Sequence, residues 1–282
     1  MRILVATPFM SGHYDAGLFW VKAMTNHGHS VYLWDYRLQP VMPKVVADLT
    51  IVFKGESINP ERLSHPRFCY FPDWFSRFPG IESQLIQYDK VFTPVCPTPS
   101  WAEWLPSGWD PDVHRDLQLH RIKDAFYIGT ANSPYKKDMV KGIYPYYIFG
   151  NGWDDEEIWG KTCGDRVTHI INPPVYLHDF VQVANQAGIL IDIHQEKTIG
   201  LNRKCFEMAA CGPTIYDAVP GIEDIFGDLA PEITFGSAEA AKIKIRLLLE
   251  DDQKRAEIWA REREAIRNFT YEKCLDKMLR FL

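Results

Sequence analysis

Residues 202–207, Asn-Arg-Lys-Cys-Phe-Glu, bring together the groups best suited to holding an anion. The apolar run Gly188 to Ile193 precedes them and reads as a strand, and Gly200 and Asn202 then lead into a helix. Gly212 ends that helix and Pro213 keeps it from resuming. Free backbone N–H groups and the positive dipole end at such a helix start favour a phosphate. Arg203 adds a full charge and a fork of donors, and Lys204 a second cation. Glu207, at i+4 from Arg203, can face the same ligand, the cation toward phosphate and the carboxylate toward ribose hydroxyls. The same spacing also fits a solvated ion pair on an ordinary amphipathic helix. His194 follows the strand directly and can bond a phosphate or a sugar hydroxyl, while Asp192 alternates onto the buried side.

A second set of groups suits proton transfer. In an open parallel sheet, ligands sit beyond the carboxyl ends of the strands, so the loop Pro8 to Gly17 after the first strand matters. It combines Gly12 with His13 and Asp15, and His13 can act as a base near neutral pH without a large shift. A helix-capping loop with an exposed His13 is the alternative. Asp73, in Tyr-Phe-Pro-Asp-Trp, stands at the right end of its strand to act as base or to orient His13; a plain turn after Pro72 is its other reading. Gly129 and Thr130, after a later strand, allow close backbone approach to a ligand, with Lys136 directed at a phosphate.

The elements that must position these groups alternate from the start. Strands are expected at 2–7, 30–34, 49–53, 68–71 and 90–93, with a first helix from Gly17 to His27. The second half restarts the pattern with strands at 125–129, 146–149, 167–170, 188–193, 213–216 and 232–235. Helical periodicity covers 237–249, 253–268 and 271–282. The fold class that follows is α/β, with two Rossmann-like domains. The expected boundaries are 1–115, 116–268, and a last helix over 269–282.

Asn202, Arg203, Glu207, Ala210, Gly212 and Pro213 resemble the donor-binding signature of GT-B glycosyltransferases. The chain is similar in particular to the CgeB-like, or Glyco_trans_1_2, group of the family-one and family-four superfamily. That resemblance implies a nucleotide-sugar donor, a UDP-sugar first, with Glu207 on the ribose and Arg203 on the diphosphate. It implies a final helix that crosses back to the first domain, which holds the acceptor while the second holds the donor. The Gly12-His13 turn is similar to the loop whose histidine deprotonates the acceptor hydroxyl, so inversion is expected. At His194 the chain departs from the group, where this position is usually Asn. Pro106 to His114 resembles the turn by which GT-B enzymes leave their first domain, so Asp110-Pro-Asp112 reads as a hinge rather than as a metal site, and neither metal nor cofactor is expected.

Composition bounds the alternatives. A 282-residue chain with 46% hydrophobic and 24% charged residues suits two globular domains. No apolar run approaches the ~20 residues needed to span a bilayer. The amino terminus reads as a strand rather than a signal peptide, and six scattered cysteines without a C-x-x-C pair disfavour a disulfide or zinc scaffold, so a cytoplasmic location is expected. A net charge of −6 gives no general attraction to nucleic acid. The lysines 136, 137 and 141 and the arginines 261, 263 and 267 read as solvated surface. The aromatic run Phe71, Trp74, Phe75 and Phe78 fits either an acceptor cleft or core, core being the default. The acceptor stays open between small molecule, glycan and DNA, a phage-type enzyme acting on hydroxymethylated bases being one form. A sugar-nucleotide epimerase and a non-catalytic nucleotide-sugar binder are the other readings.

Overall fold

Predominantly apolar, β-branched runs such as Leu-Thr-Ile-Val-Phe at 49–53 are what parallel strands covered on both faces require. A computed structural model of the chain, which describes residues 1–8, 16–73, 75–153, 169–171, 175–195 and 200–282, shows two such sheets. The chain divides into two compact units, Met1–Trp109 with Asn268–Leu282, and Asp110–Arg267.

In the first unit, β1 (Arg2–Ala6), β2 (Ser30–Trp34), β3 (Leu49–Phe53), β4 (Arg67–Tyr70), β5 (Lys90–Thr93) and β6 (Glu103–Trp104) form a parallel sheet in the order β2-β1-β3-β4-β5-β6. Helix α1 (Ala16–Asn26) and the short α2 (Ile81–Leu85) belong to this unit. Phe71 is fully buried, and Phe75 and Phe78 pack against the same core. Trp74 lies outside the described residues.

In the second unit, β7 (Ile122–Ile128), β8 (Tyr147–Phe149), β9 (His169–Ile171), β10 (Ala187–Asp192), β11 (Thr214–Asp217) and β12 (Thr234–Phe235) pair in parallel as β12-β11-β10-β7-β8-β9. Around them run α3 (Pro134–Ile143), α4 (Leu177–Gln186), α5 (Arg203–Cys211), α6 (Ile222–Phe226), α7 (Ala230–Ile233), α8 (Ala238–Glu250) and α9 (Asp252–Ile266). The last helix, α10 (Tyr271–Leu279), packs on α1 within the first unit. Tyr271 stacks on Phe19 with ring centroids 5.3 Å apart and meets Trp20 edge-on at 5.4 Å. His27 and Asp276 add a 2.9 Å contact.

Two stretches differ from the sequence reading. Residues 232–235 were expected as a strand, but Pro231 sits in the first turn of α7 and only Thr234–Phe235 extends. Proline pre-sets the first helical turn, and this outweighs the β-branched residues that follow. Strand β6 lies outside the strands expected from the pattern.

Candidate functional site

The second sheet has the doubly wound order in which the first strand, β7, lies between β8 and β10. The connections run to opposite sides there, and ligands of such sheets bind beyond the carboxyl ends of those two strands. Gly129 and Thr130 follow β7, His194 follows β10, and Asn202 and Arg203 open α5.

Asn202 is the N-cap of α5: its backbone is extended (φ −81°, ψ 168°) and its side-chain oxygen accepts from the Cys205 N–H at 3.3 Å. This cap satisfies one of the amides that a helix start leaves over and keeps the positive dipole end ordered. One turn in, the Arg203 Nε stands 3.1 Å from the Glu207 Oε1. Glu207 is 4% exposed and so shielded from water, while the Arg203 side chain keeps 29% of its surface exposed. His114, itself buried, completes the arrangement with its Nε2 3.4 Å from the same oxygen. The Asp110 N–H donates to His114 Nδ1 at 3.1 Å, so in the neutral ring the proton sits on Nε2 and faces Glu207. Sequence reasoning missed His114, because nothing in its local pattern signals a partner far along the chain.

Two of the expected ligand contacts face inward instead. The Lys204 ammonium is 2.9 Å from Asp192 Oδ1 and donates to the Ile128 carbonyl at 2.8 Å, so it compensates a fully buried carboxylate between β7 and β10. Burial opposes ionisation of Asp192, but Lys204 and His194 beside it hold its pKa below the ordinary value. His194 is 2% exposed. Its Nδ1 lies 2.6 Å from Asp217 Oδ1, its backbone N–H donates to the same carboxylate, and its Nε2 accepts from the Asn202 N–H at 3.4 Å. Desolvation disfavours its charged form, yet Asp192 and Asp217 outweigh that and raise its pKa. His194 therefore ties the residue that caps α5 to β11 and does not present itself to a ligand.

Gly129 has φ +159°, and a Cβ there would stand 2.7 Å from the Tyr127 hydroxyl; a Cβ on Gly150 would stand 2.2 Å from the Gly129 carbonyl. Glycine is therefore required at both for the backbone turn after β7 to pack. Thr130 is exposed just beyond it. Ser133 caps α3 and its hydroxyl donates to the Gln195 carbonyl at 2.8 Å, which brings a second helix start to the same edge. Lys136 is buried and donates to Asn132 Oδ1 at 2.9 Å. The Ser-Pro pair at 133 and 134 is a helix-start signal that marks this element.

In the first unit, Asp73 lies beyond β4 and 3.3 Å from the Lys54 ammonium, which follows β3. Lys54 holds φ +73°, a left-handed conformation sparsely populated by side-chain-bearing residues. Gly12, His13 and Asp15 lie outside the described residues. Asp110 Oδ1 accepts from the Asp112 N–H at 2.9 Å. Among the described residues no group of three His, Cys, Asp or Glu side chains could hold a metal ion.

The paired six-stranded parallel sheets define the GT-B fold class, as comparison with solved structures shows. T4 phage BGT, solved with its UDP-glucose substrate, matches with a TM-score of 0.68 at 12% identity, covering 100% of this chain and 99% of that one. AviGT4, a glycosyltransferase involved in avilamycin A biosynthesis, matches with a TM-score of 0.69 at 14% identity over 99% and 96%. An α-glucosyltransferase solved with UDP and a 13-mer DNA containing an HMU base matches with a TM-score of 0.67 at 13% identity over 100% and 99%. The sequence model of the glycosyl transferase-like family matches residues 134–280, over half of the chain, so the chain belongs to that family and is a glycosyltransferase. No curated protein matches it.

Proposed function

We propose that the enzyme transfers a sugar from a nucleoside diphosphate donor, UDP-sugar first, to an acceptor hydroxyl. The observation that carries the donor assignment is Arg203 at the capped start of α5, held to Glu207 and through it to His114, at the switch point of the second sheet. Breaking the anomeric bond leaves negative charge on the diphosphate. A guanidinium and a helix dipole fixed in advance stabilise that charge without reorganising. Glu207, already oriented by His114, would accept hydrogen bonds from the ribose hydroxyls. Gly129, Thr130 and Asn202 would line the phosphate path.

For the acceptor proton the base is His13, with Asp73 as orienting or alternative carboxylate; direct attack then inverts the anomeric carbon. The reaction in this reading needs no metal, and equal rates in EDTA and in Mn2+ would support that. T4 phage BGT has also been solved with UDP and Mn2+, so the comparison is worth making directly.

Calorimetric titration with UDP tests the donor site. Arg203→Ala loses a charge-assisted contact of about 2 kcal/mol, roughly 30-fold in Kd. Glu207→Gln, which keeps an acceptor for His114, weakens UDP while leaving Tm nearly unchanged. Wild-type affinity in both variants would overturn the assignment. Transfer activity in His13→Ala and Asp73→Asn tests the base in the same way.

Hydroxymethylated DNA is the second acceptor reading, drawn from the likeness to the α-glucosyltransferase solved with DNA. Radiolabelled donor offered with modified and unmodified duplexes separates it from a glycan or small-molecule acceptor. Donor turnover with no acceptor present would point to an epimerase instead.

A further inference from the structure

The opposite edge of the second sheet carries a feature that the transfer reaction does not use. Around the amino end of β7 and between α3 and α8 lies a groove of about 750 Å3, within the size range of small-molecule sites. Lys123 and Ala125 of β7 line it, and the rest of the strand separates Ala125 by roughly 13 Å from Gly129 at the other end. The helices meet closely at one point, where a Cβ on Gly142 would stand 2.6 Å from the Ala238 Cβ, and the groove opens alongside.

Its floor is apolar, formed by the buried Ala125, Ile143 and Ile245. Tyr144, the C-cap of α3, also lines it and holds φ 61°, ψ 62°. Glycine is the residue that suits this left-handed C-terminal position, and an aromatic there is strained.

The charges are unevenly matched. Lys123 pairs with Asp252, and Lys242 with Glu239. Lys141 and Arg246 line the groove with no hydrogen-bond or ion-pair partner among the described residues. With Asp252 counted beside Glu239 and Glu250, four cations face three carboxylates, so this surface is locally positive on a chain whose net charge is −6. Such a local reversal of sign concentrates anions at the surface.

We propose that this groove is a second binding site, for a small amphipathic anion. An aromatic or apolar body rests on the Ile143, Ile245 and Tyr144 surface, and a phosphate, sulfonate or carboxylate head meets Lys141 and Arg246.

The probes are 8-anilinonaphthalene-1-sulfonate, followed by its fluorescence, and phenyl phosphate as competitor. The wild type is expected to bind the dye with one-to-one stoichiometry, to release it to phenyl phosphate but not to benzyl alcohol, and to keep it in saturating UDP. Arg246→Ala and Lys141→Ala each weaken the dye by about tenfold, with circular dichroism and Tm unchanged because both side chains are exposed. Ile243→Glu, on the exposed wall of the groove, abolishes the dye signal. Dye affinity unaltered in all three variants, or displacement of the dye by UDP, would overturn the proposal. UDP affinity is measured on the same samples, so failure at the donor site is read separately.

Discussion

Arg203, Glu207 and His114 behave as one unit, since the two donors converge on a single carboxylate oxygen that water scarcely reaches. Removing His114 takes away the N–H that stands 3.4 Å from the buried Glu207 Oε1, and leaving a buried polar atom without a compensating neighbour costs about 1–3 kcal/mol. His114→Ala is therefore expected to lower the urea-unfolding free energy by roughly 2 kcal/mol and to weaken UDP in parallel; an unchanged midpoint would deny the contact its role. A different carboxylate sets the pH dependence. Glu262 of α9 is fully buried, burial holds its pKa well above the ordinary 4.5, and its Oε2 accepts from the Thr214 N–H at 3.1 Å. Below pH 4.5 both folded and unfolded states keep the proton and no penalty arises. Above it the unfolded chain ionises while the folded one does not, so stability falls as pH rises, by up to about 1.4 kcal/mol per unit, until the raised folded value is reached. Glu262→Gln keeps the acceptor for Thr214 and should flatten this decline above pH 4.5. Parallel stability profiles in the two proteins would exclude it.

At the scale of elements, the cap on α5 is the part most open to test. Asn202→Ala is expected to cost about 1 kcal/mol and Asn202→Asp much less, since both Asn and Asp supply a capping oxygen. Equal loss in the two variants, by thermal melts, would mean that the side chain holds something other than the helix start. The elements also show what a sequence can and cannot display. Strand β3 was legible because a strand covered on both faces reads as a nearly continuous apolar, β-branched run. Strand β6 was not, since two residues carry no periodicity and it exists only by pairing Glu103 with Phe92 and Trp104 with Thr93 at the sheet edge. The Asn202, Arg203 and Glu207 group was legible through its cap and its i,i+4 spacing. The inward turn of Lys204 and His194 was not, because their directions follow from Asp192 and Asp217, whose positions depend on the packed sheet. Local pattern gives the kind of residue at an edge, and tertiary partners decide which way it points.

For the molecule as a whole, the second unit interrupts the first. Residues 268–282 carry Tyr271, Leu275 and Met278 into the core that holds Phe19 and Trp20. Each buried side chain of this size contributes about 1.5–3 kcal/mol, and the three together match the margin of a typical domain. A chain cut after Arg267 should therefore expose the first unit to proteolysis while leaving the second protected. Equal resistance of both units would contradict the role given to α10. Because translation runs from one end, every residue of 110–267 must leave the ribosome before the opening β-α-β segment can finish folding. The segment made before the insert is thus completed only after it. A nascent chain halted after Arg267 would carry a completed insert while the aromatic side chains of the first unit stay bare, a state open to capture by chaperones.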